Sequence, residues 1–251
     1  MIDLRGRRAL VTGGSRGIGA ATALLLARAG ADVMIGYRSR AADAEGVVAA
    51  LRALGSRAAS HAADISTRAG ADALVRATER EFGGVDVFVA NAGVWPVDET
   101  GVADMDDERW SNTMRENVDS VFFTTRAVAR VITDGGRIVL VSSTAGQRGE
   151  AFHADYGASK GAVISFTKSL AVELAPRDVT VNSVAPGWVD TEMVSGAMAA
   201  EGRDRINAGI PLGRVASADD IAGPIVFLCS PLARHITGEI LNVNGGSVLC
   251  G

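Results

Sequence analysis

The stretch "TGGSRGIG" at residues 12–19 follows a short apolar run at residues 9–12 and opens an amphipathic segment at residues 17–29. Its spaced glycines fall where the chain must turn sharply and begin a helix. Because glycine has no side chain, the backbone can come close to a pyrophosphate, whose charge the helix N-terminus favours. The spacing G-x-x-x-G-x-G has a wider first gap than the usual dinucleotide fingerprint. A tight turn alone would explain the glycines, but their place in the first strand–turn–helix unit favours a nucleotide site.

Beyond this turn, short apolar runs alternate with amphipathic segments along the whole chain. Nearly continuous apolar strands separated by helices are typical of a parallel sheet covered on both faces, with right-handed crossovers. We therefore predict an α/β fold, a Rossmann-type doubly wound seven-stranded parallel sheet with helices on both faces. The predicted strands span residues 9–12, 32–37, 57–62, 85–90, 137–141, 180–184 and 239–243, and the predicted helices span residues 17–29, 42–54, 67–82, 107–131, 155–175 and 218–228.

No linker, repeat or low-complexity segment interrupts the alternation, so we predict a single domain over residues 1–251. Residues 191–213, rich in glycine and methionine, depart from this rhythm and are long for a connection. We expect them to form a mobile lid or a short helical insertion over a substrate site.

The composition argues against several classes of protein. The chain has 251 residues, of which 47% are hydrophobic and 22% charged, and its net charge of −4 gives no reason to expect a nucleic-acid partner. No uninterrupted apolar run reaches membrane-spanning length. The N-terminus lacks the apolar core of a signal peptide, so we expect no membrane association and a cytoplasmic location. The two cysteines, Cys229 and Cys250, form no motif with the histidines, and we expect no metal site.

The end of the second predicted strand, "GYRSR" at residues 36–40, bears on which nucleotide would bind. A carboxylate there would bind the adenosine ribose hydroxyls and repel a 2′-phosphate, but the chain has Tyr37 and Arg38. Arg16, inside the glycine-rich turn, can point to the same place, and guanidinium groups suit bidentate phosphate recognition. Either arginine alone could be a solvated surface charge. Together, and without the acid, they favour NADP(H) over NAD(H).

Tyr156 and Lys160 stand four residues apart on a predicted helix, in a chain with only two tyrosines and two lysines. Residues at this spacing share a helix face, so the ammonium could lie near the phenol and lower its pKa from about 10. The pair could also be a surface tyrosine with a solvated lysine. Ser143, at the end of a predicted strand, is placed to hydrogen-bond a substrate carbonyl. Asn117, a polar residue between apolar neighbours, could be a helix-packing group.

Several motifs occur in a characteristic order: "TGGSRGIG", "NAG" at residues 91–93, Ser143, Tyr156-x-x-x-Lys160 and "PG" at residues 186–187. With them the chain resembles the short-chain dehydrogenase/reductase family, over essentially its whole length. The resemblance implies that Asn117 completes a catalytic tetrad with Ser143, Tyr156 and Lys160. It also implies a homotetramer.

The resemblance further implies how a cofactor would be held. Asp64 and Ile65 would contact the adenine, and Asn91 would brace the central strands near the adenosine ribose. Val189 and Thr191 would hold the nicotinamide carboxamide. The full set of expected cofactor contacts is Gly13, Ser15, Arg16, Gly17, Ile18, Gly19, Tyr37, Arg38, Asp64, Ile65, Asn91, Ala92, Gly93, Tyr156, Lys160, Pro186, Gly187, Val189 and Thr191.

The implied reaction is the reversible reduction of a ketone to a secondary alcohol. NADPH delivers hydride to the carbonyl carbon, and Tyr156 donates a proton to the carbonyl oxygen, which Ser143 stabilises. Lys160 holds the nicotinamide ribose and lowers the pKa of Tyr156, while Asn117 positions a water that links Lys160 to solvent. The hydride belongs to the cofactor, and the protein supplies positioning and a tuned acid.

The sequence constrains the ketone less. Residues 211–246 are similar to bacterial 3-oxoacyl-(acyl-carrier-protein) reductases, but also to many sugar, polyol, steroid and xenobiotic reductases. Arg177 matches a position used for carrier-protein docking, whereas Asp134 stands where a basic cluster is common and disfavours an acidic carrier. We expect Trp95, Gln147 and His153 to contact a small-molecule substrate, although each could be a packing or solvated residue. Glu150 lies in the same loop and could also reach a substrate, and Glu150 and His153 hint at a polar one.

Two other classes are open. A non-catalytic NADP(H)-binding regulator could share the fold, since fold alone does not fix function, but it would have no need of Tyr156 and Lys160 together. A dehydratase or epimerase with transient hydride transfer usually carries a longer C-terminal substrate domain, whereas this chain ends soon after its seventh predicted strand.

Overall fold

The computed structural model describes residues 2–249, and within them the chain forms a seven-stranded parallel sheet, which confirms the predicted fold class. The strands are β1 (Arg8–Thr12), β2 (Asp32–Tyr37), β3 (Ala58–Ala62), β4 (Val85–Ala90), β5 (Ile132–Val141), β6 (Thr180–Pro186) and β7 (Ile240–Val243). Their spatial order is β3-β2-β1-β4-β5-β6-β7, so the direction of winding reverses between β1 and β4. Ligands of doubly wound sheets bind beyond the carboxyl ends of the strands at such a reversal.

Helices connect the strands and cover both faces of the sheet. Within the described residues they are α1 (Gly17–Arg28), α2 (Ala41–Ala53), α3 (Arg68–Phe82), α4 (Asp107–Met114), α5 (Ser120–Ala129), α6 (Thr144–Arg148), α7 (Ala154–Leu174), α8 (Ser195–Glu201), α9 (Arg203–Ala208) and α10 (Ala218–Leu228). Five of the predicted helices agree with these bounds to within one residue at each end. Their bounds could be predicted because each helix stands between two apolar strand segments of the alternating sequence.

The two faces of the sheet bury separate hydrophobic clusters. In β1, Ala9 and Val11 pack in the cluster that includes residues of α1 and α10, whereas Leu10 packs in the cluster that includes residues of α3, α5 and α7. This alternation follows from the two-residue period of a strand. All three side chains are fully buried. The core therefore fixes the strands from both sides, and the residues at their carboxyl ends start from a rigid base.

The predicted helix at residues 107–131 is interrupted in the structure. A π-helical turn, Arg115–Asp119, separates α4 from α5, and such a turn adds a residue to the hydrogen-bond ladder, frequently at functional sites. The Ser120 hydroxyl donates to the Glu116 carbonyl at 2.6 Å, a side-chain bond that competes with the regular ladder. The turn contains Asn117, which is fully buried.

The fifth strand is longer than predicted. It begins at Ile132 instead of residue 137, because Ile132 pairs with Val85 before a register shift leads to the pairing of Arg137 with Val87. Charged and glycine residues at 134–136 concealed this extension in the sequence.

The segment 191–213 is a helical insertion, which is the second of the two predicted forms. It contains α8 and α9, and its apolar side chains form a small cluster of their own with Met198, Ile206 and Ile210. The insertion lies over the carboxyl edge of the sheet, where Ile206 and Ile210 line the large cleft described below.

Within residues 2–249, no helix is long and apolar enough to cross a membrane. The same part of the chain holds no group of three or more histidine, cysteine or acidic side chains arranged to bind a metal ion. Cys229 is a buried free thiol, and burial raises its pKa to about 12. Cys250 lies outside the described residues.

Helices α6 and α7 cross closely at two glycines, and this crossing sets the position of Lys160. A Cβ atom on Gly146 would lie 2.5 Å from the Lys160 carbonyl carbon, whereas one on Gly161 would make only an ordinary contact of 3.4 Å with the Gly146 oxygen. Only the first glycine is therefore required by packing.

We expect Gly146→Ala to destabilise the protein by about 1–3 kcal/mol, as overpacking does, because the new methyl group would press on the backbone of α7. Gly161→Ala is the matched control and should be neutral or slightly stabilising, since alanine favours a helix interior. Thermal denaturation followed by circular dichroism measures both. Equal melting temperatures for the two variants would contradict the close crossing.

Candidate active site

A cleft of about 620 Å³ opens at the carboxyl edge of the sheet, a volume typical of small-ligand sites. Residues from the ends of β1, β2, β4, β5 and β6 line it together with α7 and the insertion. It brings together most of the site residues that the sequence predicted, namely Gly13, Ser15, Arg16, Gly17, Ile18, Tyr37, Arg38, Asp64, Ile65, Asn91, Ala92, Gly93, Trp95, Ser143, Tyr156, Lys160, Pro186, Gly187, Val189 and Thr191.

The glycine-rich turn forms the floor of one half of the cleft. Gly13 and Gly17 have positive φ angles of 64° and 53°, which other residues adopt only at a cost. Gly19 lies beneath the turn rather than in the wall, where a Cβ atom would come within 2.6 Å of the Asn91 amide nitrogen. The turn thus presents bare backbone at the start of α1, a surface that suits a pyrophosphate.

Asn91 and Thr12 join β1 to β4 beneath this turn. The Thr12 hydroxyl accepts the backbone N–H groups of Asn91 and Ala92 at 3.0 and 3.1 Å. In return, the Asn91 side chain donates to the carbonyls of Thr12 at 3.1 Å and Gly13 at 3.3 Å. The two strands are therefore held at the point where the sheet reverses, as the sequence predicted for Asn91.

Tyr156, Lys160 and Ser143 meet in the middle of the cleft. Ser143 ends the loop after β5, and its hydroxyl acts on the Tyr156 phenol so as to lower the phenol's pKa. Lys160, one turn further along α7, is only 5% exposed. Its ammonium donates to the Val141 carbonyl at 3.0 Å and lies 5.8 Å from the centre of the Tyr156 ring. The predicted pair thus shares one helix face, next to the end of β5.

Burial controls the titration of this pair. It raises the pKa of Tyr156 to about 12, against the hydrogen bond from Ser143, which lowers it, and the Glu150 charge raises it further. Burial also lowers the pKa of Lys160 to about 8. The sequence led us to expect that Lys160 lowers the pKa of Tyr156. In the structure this pKa is raised instead, because the loss of water around the buried phenol outweighs any effect of the ammonium. At neutral pH the phenol is protonated, which is the form that can donate a proton.

Asn117 lies behind the cleft wall, fully buried. Its side-chain oxygen accepts the Val94 backbone N–H at 2.7 Å, and its nitrogen donates to the Val94 carbonyl at 2.9 Å and to the Ser159 hydroxyl at 3.0 Å. A Cβ atom on Gly93 would lie 3.0 Å from the Asn117 oxygen and 3.3 Å from the Lys160 ammonium. Asn117 therefore fixes the loop after β4 against α7, next to Lys160.

Three arginines surround the end of the cleft near β2. Arg38 pairs with Glu116 at 2.6 Å, and Arg16 pairs with Glu192 at the start of the insertion. Arg40 contacts the same Glu192 carboxylate at 3.1 Å. The sequence analysis missed Arg40, although it lies two residues after Arg38 in "GYRSR". It could not have found the two glutamates, because both come from distant segments.

The opposite end of the cleft is formed by Trp95, Glu150 and Trp188, which we call the polar wall. The Trp95 indole N–H donates to the Glu150 carboxylate at 3.3 Å. Trp95 stacks on His153 with ring centres 4.8 Å apart, and Trp188 meets Trp95 edge-on at 6.4 Å. Burial raises the pKa of Glu150.

Two of the three predicted substrate contacts lie elsewhere. His153 is buried beneath Trp95, outside the cleft lining. Gln147 also lies outside the cleft lining. Its side chain donates a hydrogen bond to Asn242 of β7 at 2.6 Å. Both residues therefore support neighbouring structure, and Trp95 alone of the three faces the cleft. Glu150, the other polar residue of this loop that could reach a substrate, does line the cleft, as does Trp188, which the sequence analysis did not name.

A buried ion pair fixes the start of α7. Asp155 accepts hydrogen bonds from Thr113 at 2.7 Å and Arg109 at 3.2 Å. Burial would raise the pKa of Asp155, but these hydrogen bonds lower it overall. Arg109 also donates to the Asp98 carbonyl at 2.6 Å. Through Arg109, the loop after β4 is thus linked to α7 at Asp155, the residue before Tyr156.

Comparison with known proteins gives this site its class. The family model described as enoyl-(acyl carrier protein) reductase matches residues 13–247. A protein of Vibrio cholerae named 3-oxoacyl-[acyl-carrier-protein] reductase is 42% identical over 247 residues, covering 98% of each chain. An Escherichia coli protein of the same name is 38% identical over 247 residues, again covering 98% of each chain.

Two solved structures are similar to this chain over nearly its whole length. A short-chain dehydrogenase/reductase of Brucella melitensis described as glucose/ribitol dehydrogenase has a TM-score of 0.91 at 35% identity and covers 99% of each chain. A short-chain dehydrogenase of Burkholderia cenocepacia in complex with NADP has a TM-score of 0.91 at 40% identity, covering 97% of this chain and 98% of that one.

The site and these relatives define an oxidoreductase that acts on carbonyl and hydroxyl groups. The chain belongs to the short-chain dehydrogenase/reductase family. This confirms the resemblance drawn from the ordered motifs, including the similarity to 3-oxoacyl-(acyl-carrier-protein) reductases.

Proposed function

We propose that the protein is an NADP(H)-dependent reductase that converts a small-molecule ketone reversibly to a secondary alcohol, with Tyr156 as the general acid. One observation carries this proposal: the Tyr156 phenol, the buried Lys160 ammonium and the Ser143 hydroxyl converge in the cleft beyond β5. Residues 1–251 would form one catalytic domain, with 191–213 as its substrate lid.

The residues present fit a nicotinamide dinucleotide. The glycine-rich turn presents backbone where a side chain would block the close approach of a ligand, and Lys160, in the middle of the cleft, offers donors for ribose hydroxyls. Asp64, Ile65 and Thr191 line the cleft, and by the family resemblance the first two would contact the adenine and Thr191 the carboxamide. When bound, the nicotinamide supplies the hydride.

The chain's own residues supply positioning and a proton. Tyr156 would donate its phenolic proton to the carbonyl oxygen, and Ser143 would hold that oxygen by a hydrogen bond. Lys160, whose ammonium is already oriented by the Val141 carbonyl, would grip the ribose. Asn117 would hold the loop after β4 so that Lys160 keeps this position, and a water bridging to solvent next to Lys160 would restore the proton.

Mutation of the acid tests the function. We expect Tyr156→Phe to abolish turnover and leave the NADPH dissociation constant within a few-fold, because the phenol moves a proton and the ring stays in place. The measurement is NADPH oxidation with a panel of ketones that includes an activated α-diketone and a 3-oxoacyl thioester, alongside fluorescence titration of NADPH. Turnover by the variant would remove Tyr156 from the mechanism. NADPH binding without turnover of any carbonyl by the wild-type protein would favour the non-catalytic regulator.

We further propose a preference for NADP(H) over NAD(H). Arg16, Arg38 and Arg40 would surround the 2′-phosphate of a bound cofactor. Each of these guanidinium groups is already paired with a carboxylate of the chain. A dianionic phosphate would compete with Glu192 and Glu116 for the same guanidinium groups. The glutamates therefore moderate the preference that the arginines create.

Two substitutions of opposite sign test this preference. Arg38→Asp should weaken NADPH binding about tenfold or more, as loss of a hydrogen bond to a charged group does, and leave NADH binding equal or tighter. Glu192→Gln should tighten NADPH binding selectively, since it removes the competing carboxylate. Dissociation constants from fluorescence titration measure both. Arg76→Asp, on the exposed face of α3, is the matched control for a change in net charge. Parallel changes for NADPH and NADH would contradict the proposal.

A second candidate is reduction of a 3-oxoacyl group on an acyl-carrier protein, which the names of the similar proteins favour. The arginine that the resemblance assigns to carrier docking is engaged within the chain. Arg177 pairs with Asp134 at 2.9 Å and donates to the backbone carbonyls of Ala129 and Ile132. Since this guanidinium is already engaged, we place the free small-molecule ketone first.

We also propose a cytoplasmic homotetramer. Phe122 on α5 and Val172 on α7 are apolar and exposed at 40% and 78%, which suits helix pairing between subunits. The family resemblance places these two helices at one subunit interface.

A further inference from the structure

The polar wall contains an anchored carboxylate close to the proposed acid. The Glu150 side chain is 25% exposed and borders the cleft. A Cβ atom on Gly157, the residue after Tyr156, would lie 3.5 Å from the Glu150 backbone nitrogen, so the two segments are adjacent. Glu150 therefore lies where the part of a substrate next to the reacting carbonyl would be placed.

The position of this carboxylate is fixed by stacked rings. Trp95 donates to Oε1 of Glu150 at 3.3 Å and is itself held by stacking on the buried ring of His153. His153 Nδ1 also approaches Oε1 at 3.8 Å. The loop is tied down at Phe152, whose carbonyl accepts the Thr100 backbone N–H at 3.0 Å. Preorganised groups of this kind select ligands because little ordering is needed on binding.

Within residues 2–249, the contacts of the Glu150 carboxylate run through Oε1, so its second oxygen is an acceptor without a donor of its own. An ionised carboxylate only accepts hydrogen bonds. An alkyl chain placed against it would strip away water and offer nothing in return, which is costly. A substrate anion would be repelled. A hydroxyl group would satisfy the oxygen.

The surrounding charges and rings favour a neutral group. Arg148 and Glu201 also line the cleft and act on the Glu150 carboxylate with opposite signs, so their two charges offset each other beside it. An ammonium group would gain little from such a balanced site. The indole faces of Trp95 and Trp188 offer apolar surface for the carbon skeleton of the substrate.

We propose that Glu150 is a specificity-determining residue that selects ketones carrying a hydroxyl group near the carbonyl, with Trp95 as its positioning residue. This inference rests on the proposed function, because it names the substrate class of that site. It separates this chain from reductases of purely aliphatic 3-oxoacyl chains.

Matched substrate pairs test the proposal. Each pair has a hydroxyketone and an alkyl ketone of the same heavy-atom count: hydroxyacetone with butanone, 4-hydroxybutan-2-one with pentan-2-one, and 5-hydroxypentan-2-one with hexan-2-one. The wild-type protein should show a kcat/KM about tenfold or more higher for the hydroxylated member of at least one pair, the size expected for a hydrogen bond to a charged group. Glu150→Leu should abolish or reverse that ratio through loss of the hydroxyketone and gain of the alkyl ketone.

Further variants separate specificity from structure. Trp95→Phe should reduce the ratio less than Glu150→Leu does, since it keeps the carboxylate but removes the indole donor. Glu201→Gln, in the same cleft, is the control for a lost carboxylate and should preserve the ratio. Glu150→Gln keeps the shape, and its ratio should fall between those of wild type and Glu150→Leu.

An activated α-diketone distinguishes the two ways to fail. If it is reduced with NADPH while every matched pair gives a ratio near one, or while Glu150→Leu keeps the wild-type ratio, the specificity proposal is overturned and the proposed function stands. If neither the diketone nor any ketone of the pairs is reduced, the proposed function fails and the specificity proposal fails with it.

Discussion

The hydrogen bonds between Thr12 and Asn91 hold together the place where the sheet reverses its winding. A parallel sheet opens a crevice at such a reversal because the connections leave in opposite directions. Here the two residues exchange two hydrogen bonds, and each makes one more across the junction, Thr12 with Ala92 and Asn91 with Gly13. The glycine-rich turn and the loop after β4 both start from this junction, so the shape of the whole cleft depends on it.

A second constraint is the burial of charge beside that junction. Lys160 holds its ammonium against a single backbone carbonyl, and burial lowers its pKa to about 8. Burying a lysine in such an environment is unfavourable for folding. This cost is expected where a ligand uses the ammonium. Perturbed groups gathered in one cleft are a common mark of a functional site. Tyr156, whose pKa burial raises to about 12, lies one turn before Lys160 on α7 and lines the same cleft.

Much of this arrangement could be predicted from the sequence. The alternation of apolar and amphipathic segments predicted the fold, and the ordered motifs predicted the positions of Ser143, Tyr156 and Lys160. Both predictions succeeded because they depend on local sequence patterns. Features that depend on distant contacts could not be read in this way. The pairing of Arg38 with Glu116 and of Arg16 with Glu192 joins residues far apart in the chain.

The substrate end shows the same limit of local patterns. Gln147 and His153 are polar residues in a loop next to the tetrad, which made them reasonable substrate contacts. Folding turns one toward β7 and buries the other under Trp95, and it brings Trp188 in from the end of β6. The direction of the Tyr156 pKa shift could not be predicted from the sequence either. Residue spacing indicates how near a charge lies, but not how deeply the phenol is buried, and burial raises its pKa.

Transfer of deuterium from cofactor to product tests the central claim most directly. The protein would be incubated with a ketone that it turns over and with NADPH deuterated at the hydride-donating position of the nicotinamide, and the alcohol would be analysed by mass spectrometry. Direct hydride transfer in this cleft predicts an alcohol that carries deuterium on its carbinol carbon. An alcohol without deuterium, formed while the labelled NADPH is consumed, would contradict the account.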